Sequence, residues 1–292
     1  MHIHTPLIRS LPLSDACQTN VWLKFDALQP SGSFKLRGMS HKALIEKQKG
    51  AQKFVSSSGG NAGLAVAYAG MELGVSVSVY VPGGTKAATV EKLKLCGAKV
   101  VTVGEHWAQA HEEAEKELDD PAAVYFHPFD DHLVWQGHST LVDEVMEDGL
   151  RPDLVICSVG GGGLLCGMVS GLQNHGLHST GLLGIETVGA DSLFQSSVRG
   201  KHVELAKITS RASSLGAVKV CKKAYELLSN PLIHSDIVLD SDAEEACHRF
   251  LTDHRIKVEL ACGAALAAVY TPHYLVKKCD NVLVVVCGGV ND

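Results

Sequence analysis

Four segments of this 292-residue chain hold residues whose type and spacing suit ligand chemistry. Ser56-Ser57-Ser58-Gly59-Gly60-Asn61-Ala62-Gly63 follows a short apolar run and opens a helical pattern over Asn61–Leu73. A helix N-terminus presents free N–H groups and the positive end of its dipole, and small residues let an anion lie against the backbone. A plain strand-to-helix turn needs one capping Ser or Asn. So long a run of small residues points to an anion or ligand site. Gly160-Gly161-Gly162-Gly163 repeats the arrangement after another apolar run. Consecutive glycines cost backbone entropy and add no packing, a cost that makes sense where a phosphate lies on the main chain. No Gly-Lys-Ser/Thr follows, which excludes a Walker A loop, and the third glycine of G-x-G-x-x-G counted from Gly161 falls on Cys166. Glu186 ends the next apolar run, about where a ribose-binding acid would stand, so a dinucleotide site stays open. Cys287-Gly288-Gly289 closes a third apolar run. The fourth segment is Pro30-Ser31-Gly32-Ser33-Phe34-Lys35-Leu36-Arg37-Gly38. A lone lysine in a turn is ordinarily a solvated charge. Lys35 stands out through its rigid frame, its aromatic neighbour and the glycine loops elsewhere, in a chain with no Cys-x-x-Cys pair, metal cluster or Ser/His/Asp triad.

These loops need elements to hold them. Short β-branched runs (Val21–Phe25, Lys53–Ser56, Val75–Val81, Lys99–Val103, Leu154–Val159, Gly181–Glu186, Val282–Val286) alternate with amphipathic segments (Leu36–Lys49, Asn61–Leu73, Thr85–Cys96, His106–Leu118, Leu133–Glu147, Leu164–Asn174, Val218–Leu228, Ala243–His254, Gly263–Val276). Strands joined by crossover helices predict an α/β fold with parallel sheets covered on both faces. The three glycine turns would then converge at strand C-terminal ends, where such sheets bind ligands. The number of alternations exceeds one small sheet and predicts two domains with a cleft between them. Residues 36–130 form the expected small unit, and 1–35 with 131–292 the large one.

Composition narrows the function. Hydrophobic residues at 46% and charged residues at 20% exclude a disordered chain. A net charge of −6 opposes a nucleic-acid partner, because a phosphate backbone calls for a basic face. Leu154–Leu172 carries no charge, but the four glycines in its middle would break a membrane-spanning helix, so it reads as strand, loop and helix. The nine cysteines read as reduced, buried thiols. The N-terminus, with two prolines and no continuous apolar stretch, lacks the form of a signal peptide. A cytoplasmic protein is expected.

Taken in order, PSGSFKLRG, SSGGNAG, HPFDDHLVWQGHSTLVDEV, SVGGGGLLCG, ETVGADS, VELACGAALAAVY and VVVCGG resemble the L-serine/L-threonine dehydratases, and most of all the animal-type serine dehydratase and serine-dehydratase-like group. The resemblance spans nearly the whole chain. It implies a two-domain pyridoxal-phosphate enzyme of fold type II (tryptophan-synthase β-like), with parallel-rich sheets, flanking helices and the cofactor in the interdomain cleft. It implies deaminating elimination of small amino acids, serine to pyruvate and threonine to 2-oxobutanoate, by a homodimer. It makes Lys35 the Schiff-base lysine and the α-proton base, Phe34 the aromatic against the cofactor ring, and Asn61 the partner of its phenolic oxygen. Gly160, Gly161, Gly162, Gly163 and Leu164 match the phosphate cradle, and Cys287 the residue facing the pyridine nitrogen. Ser58, Gly59 and Asn61 resemble the grip on the substrate carboxylate. Glu186, Ala190, Ser192, Leu215 and Ala217 resemble a monovalent-cation site, expected to take potassium, and the cation is preferred over the ribose role for Glu186. His127 and His138 are read as structural.

Two departures are noted. Gly59 stands where some relatives carry Ala, with an expected loosening of the carboxylate loop. Relatives usually continue beyond the last strand with another helix, so that strand is expected to be less covered here. The competing readings are a β-replacement enzyme of the same fold, a non-enzymatic family member and a nicotinamide dehydrogenase.

Overall fold

The computed structural model describes residues 1–289, and two sheets organise them. The chain opens with β1 (Leu7–Arg9), α1 (Leu11–Cys17), β2 (Asn20–Lys24) and α2 (Lys35–Gln48). It continues through β3 (Lys53–Ser56), α3 (Asn61–Leu73), β4 (Ser76–Val81), α4 (Ala87–Leu95), β5 (Lys99–Thr102), α5 (Trp107–Glu115) and β6 (Ala123–Tyr125). Helix α6 (His132–Glu147) leads to β7 (Leu154–Ser158), α7 (Gly163–Asn174), β8 (Gly181–Thr187), α8 (Ser192–Arg199), α9 (Lys222–Leu227), β9 (Ile233–Val238), α10 (Asp240–His254), α11 (Leu260–Tyr270) and β10 (Asn281–Val285). Among the described residues the strands form a six-stranded sheet, β1-β2-β10-β7-β8-β9, and a four-stranded sheet, β5-β4-β3-β6. All pairings are parallel except β1 with β2. Parallel strands need crossover connections, and the helices that supply them cover both faces. The α/β class is therefore as expected.

Each apolar run named above lies within a residue or two of an observed strand. The elements without a prior expectation are short or polar. β1 and β6 have three residues each, too few to show a period. β9 reads Ile-His-Ser-Asp-Ile-Val, with polar residues breaking the apolar run. Helix α1 contains Pro12, which is tolerated in a first turn because no N–H is needed there. α8 is mostly polar, with Leu193 buried.

The expectation for the last strand is corrected. β10 lies in the middle of the large sheet between β2 and β7, and Val282, Val284, Val285 and Val286 are fully buried. A strand inserted between two others is covered by its neighbours and by α11. Residues 290–292 lie outside the described residues.

A buried ionic cluster holds the start of α2. Arg37 is fully buried. Its guanidinium reaches Asp26 through Nε–Oδ2 at 2.6 Å and Nη2–Oδ1 at 2.8 Å. It reaches Glu144 of α6 through Nη1–Oε1 at 2.6 Å and Nη2–Oε2 at 2.8 Å. Lys24 of β2 adds a contact to Glu144 Oε2 at 2.8 Å and donates to Thr5 O at 2.7 Å. Two acids balanced by two bases, each hydrogen-bonded, make this burial tolerable. Burial alone would raise the Glu144 carboxyl, but the bonds and charges of Arg37 and Lys24 prevail and hold it at about 2.

Because the folded value lies below the unfolded one, Glu144 stabilises the fold above its ordinary pKa of 4.5, and this contribution is lost as the pH falls toward about 2. Arg37→Ala leaves Asp26 without its cation and Glu144 with Lys24 alone, and should cost about 3–5 kcal/mol in urea unfolding near neutral pH. That deficit should shrink as the pH drops below the carboxylate range. A deficit independent of pH would contradict the account.

Candidate active site

Lys35 is the first residue of α2, and the loop before it is tied to the end of β10. Phe34 N–H donates to Cys287 O at 2.9 Å, Gly289 N–H donates to Gly32 O at 2.9 Å, and Ser33 bridges Gly288. Two distant segments thus set Lys35 and Cys287 side by side. Lys35 Nζ donates to Pro128 O at 2.5 Å and stands 5.1 Å from the Phe34 ring centroid. Desolvation lowers its ammonium to about 8, against the opposing influence of Cys287, Glu259 and Cys221. A neutral, nucleophilic amine is thereby accessible near physiological pH. The other face of the site is also packed, with the Phe34 and His138 rings 4.9 Å apart.

The tetraglycine segment leaves β7 and enters α7. Gly162 adopts a left-handed φ of 89°, and α7 begins without a side-chain cap, so its first N–H groups are available to an anion. A Cβ on Gly161 would fall 2.1 Å from Phe129 Cγ, which forbids any side chain there. Leu164 follows in the first turn of α7 and is buried. Across the cleft, α3 also starts without a side-chain cap, at Gly60. Ser58 and Gly59 precede it, and Asn61 Nδ2 donates to Glu259 Oε1 at 2.9 Å. A Cβ on Gly59 would meet Val81 Cγ1 at 3.0 Å and Thr85 Cγ2 at 3.1 Å. The loop therefore has little spare room at that position, which bears on the expected loosening.

Cys287 is buried against Cys262, with Glu259 and Cys157 nearby. The Cys262 contact, burial and the adjacent acidic groups push its thiol well up, so it stays protonated. Of the proposed cation residues, Glu186, Ala190 and Ser192 lie on a segment that meets residues 209–210, a few positions before Leu215 and Ala217. Thr209 N–H donates to Gly189 O at 3.0 Å, and Ser210 Oγ and Thr187 Oγ1 share a hydrogen bond at 2.7 Å. Glu186 is fully buried, its carboxylate accepting from Leu193 N–H at 3.0 Å and Phe194 N–H at 2.7 Å in α8. Burial raises it to about 8 in spite of those two bonds. Ala190 N–H donates to Thr187 O at 2.8 Å, and Leu215 O accepts from Ala217 N–H at 2.7 Å. Ser192 Oγ is buried without a hydrogen-bond partner among the described residues. With its carboxylate engaged by α8, Glu186 offers no support to the ribose role. His127 Nδ1 accepts from Phe129 N–H at 3.3 Å and Asp130 N–H at 2.8 Å, and desolvation lowers the ring to about 4. His138 is fully buried, and burial depresses its pKa strongly. Burial thus favours the neutral form of both rings.

Four neighbours of the site had no assigned role in the sequence. Pro128 and Phe129 sit in a loop, and contact with Lys35 and Gly161 is visible only in three dimensions. Ser214 is one serine among many. Glu259 carried the one available signal, a lone acid directly before the uninterrupted apolar helix α11.

Residues 1–288 match the family described as pyridoxal-phosphate dependent enzyme, and the chain belongs to that family. It is 43% identical over 301 residues to mouse "L-serine dehydratase/L-threonine deaminase", an alignment covering all of this chain and 92% of the relative. It is 39% identical over 311 residues to Dictyostelium discoideum "L-serine dehydratase", covering 99% and 88%. The structure of a fungal L-serine ammonia-lyase from Rhizomucor miehei superposes with a TM-score of 0.92 at 34% identity, covering 99% of this chain and 95% of that one. These likenesses define an α/β fold of type II. The residues present fit its cofactor. A buried amine, a glycine turn packed too closely on Phe129 and Ala224 to carry side chains, and an uncapped helix N-terminus meet the needs of an aldehyde bearing a phosphate.

Gly161→Ala should overpack the cradle against Phe129, costing about 1–3 kcal/mol of stability. It should also weaken pyridoxal-phosphate binding, measured by fluorescence titration of cofactor-free protein. Unchanged affinity would remove the cradle from the cofactor site.

Proposed function

We propose that this chain is an ammonia-lyase that converts L-serine to pyruvate and ammonia, and L-threonine to 2-oxobutanoate and ammonia, with pyridoxal phosphate. The observation that carries the reading is the meeting of the Lys35 amine, two uncapped helix N-termini and the protonated Cys287 thiol around one cleft. The names of the mouse and fungal relatives support the substrate class. When bound, pyridoxal phosphate supplies the electron sink that makes the substrate α-proton acidic.

The protein residues supply the rest. Lys35 Nζ would hold the cofactor and, as an amine whose pKa burial lowers, would take the substrate α-proton. Ser58, Gly59 and Asn61 grip the substrate carboxylate at the start of α3, where free N–H groups point outward. Gly160, Gly161, Gly162, Gly163 and Leu164 hold the phosphate at the start of α7. Phe34 would pack on the bound ring, and Asn61 would meet its oxygen. Cys287 would face the ring nitrogen as a weak donor, an arrangement that suits elimination over transamination.

The four-stranded sheet is read as the core of the small unit, 36–130. The six-stranded sheet is then the core of the large unit, 1–35 with 131–292. The protein is read as a homodimer in a reducing cytoplasm. The nine cysteines, none of them in a disulfide, support that compartment. Among the described residues no helix is long and apolar enough to cross a membrane. A potassium ion is assigned to Glu186, Ala190, Ser192, Leu215 and Ala217, supported by the fully buried carboxylate and the unpartnered Ser192 hydroxyl.

Lys35→Ala should abolish borohydride-trapped cofactor and pyruvate formation together. Pyruvate from serine alone, without added thiol, separates a lyase from a β-replacement enzyme, and retention of both signals by the variant would sink the assignment. Replacing tetramethylammonium by potassium should raise the melting temperature and the rate, and Glu186→Gln should erase both responses. An equal potassium response in the variant would remove the cation from this site.

A further inference from the structure

Glu259 sits at the N-cap of α11, its backbone N–H donating to Gly288 O at 3.3 Å. Its carboxylate touches each of the three glycine loops or a residue against them. Oε1 accepts from Asn61 Nδ2 at 2.9 Å, at the start of α3. Oε2 accepts from Ser214 Oγ at 2.7 Å, and the Ser214 carbonyl lies 3.1 Å from where a Cβ of Gly160 would be. A Cβ on Gly288 would fall 2.4 Å from Oε1, so only glycine leaves room for the carboxylate beside Cys287. A carboxylate only accepts hydrogen bonds. It therefore dictates that the Asn61 amide presents Nδ2, and not Oδ1, toward the large sheet. The Ser214 hydroxyl is oriented in the same way.

Resting on the pyridoxal-phosphate reading above, we infer that Glu259 is a positioning residue. It holds Asn61 in the orientation that receives the cofactor and locks the carboxylate-binding loop of the small sheet to the phosphate- and ring-binding loops of the large one. It acts through Asn61 and Ser214. The property that matters is an acceptor at Oε1, since a neutral amide at this position keeps a carbonyl for Asn61 and an N–H for Ser214.

The test uses the full-length protein, with pyridoxal phosphate as titrant of the cofactor-free form and serine as substrate. Glu259→Leu should weaken cofactor affinity and raise the serine KM, each about tenfold, as expected when a buried polar group loses its partner. Its near-ultraviolet circular dichroism should remain that of the parent. Glu259→Gln should restore both values to within about threefold, a rescue that a merely space-filling role would not give. In a double-mutant cycle on cofactor affinity, Asn61→Ala combined with Glu259→Leu should be no worse than the poorer single variant. Additive losses, or a Gln variant as damaged as the Leu variant, would overturn the inference. If Glu259→Leu proves misfolded, the Gln variant and Ser214→Ala carry the test, and cofactor affinity and KM equal to the parent in Ser214→Ala would overturn the Ser214 link. A parent protein that binds no pyridoxal phosphate would overturn the underlying reading and the inference with it. A parent that binds normally beside an indifferent Glu259→Leu would overturn the inference alone.

Discussion

Arg37 lies two residues after Lys35, and its guanidinium pairs with Asp26 and Glu144 and also reaches the hydroxyls of Thr5 and Thr140. A buried guanidinium has a fixed planar fork of donors, so satisfying it dictates the distance and angle between the segments that carry its partners. Here those segments are the turn just after β2, the first turn of α2 and the last turn of α6. The reactive lysine inherits its place from that constraint. α2 cannot rotate or slide without leaving charges buried and unpaired, a state that costs several kcal/mol.

The second constraint is topological. β10 inserts between β2 and β7, so three loops leave one edge of the large sheet together: the lysine loop, the tetraglycine loop and the Cys287 loop. The substrate-side loop comes from the other sheet, through α3. A cleft built this way is assembled from strand ends, which are rigid, and glycine turns, which admit close approach. Glu259 spans it, and its two hydrogen bonds connect loops that the sheets alone would leave independent.

Much of the strand content was legible because buried parallel strands are runs of β-branched residues, as in Leu154–Ser158 and Asn281–Val285. Lys35, Asn61 and the tetraglycine run stood out in the sequence as candidates because runs of small residues and one framed lysine suit chemistry better than packing. The short strands β1 and β6 were not, since three residues carry no period. The place of β10 was also hidden. Strand order depends on which sheet edge a crossover returns to, and local pattern does not record that.

The amino-acid sequence by itself determined the fold class and singled out the lysine and the glycine loops as candidates, because each is a local property: periodicity, glycine runs, an aromatic beside an amine. The tertiary structure alone decided what those parts do together. The depressed Lys35 pKa, the protonated Cys287 thiol and the engagement of Glu259 all arise from burial and from partners distant in the chain. Desolvation and hydrogen-bond geometry exist only once the chain has closed around them, so no reading of neighbours along the chain supplies them.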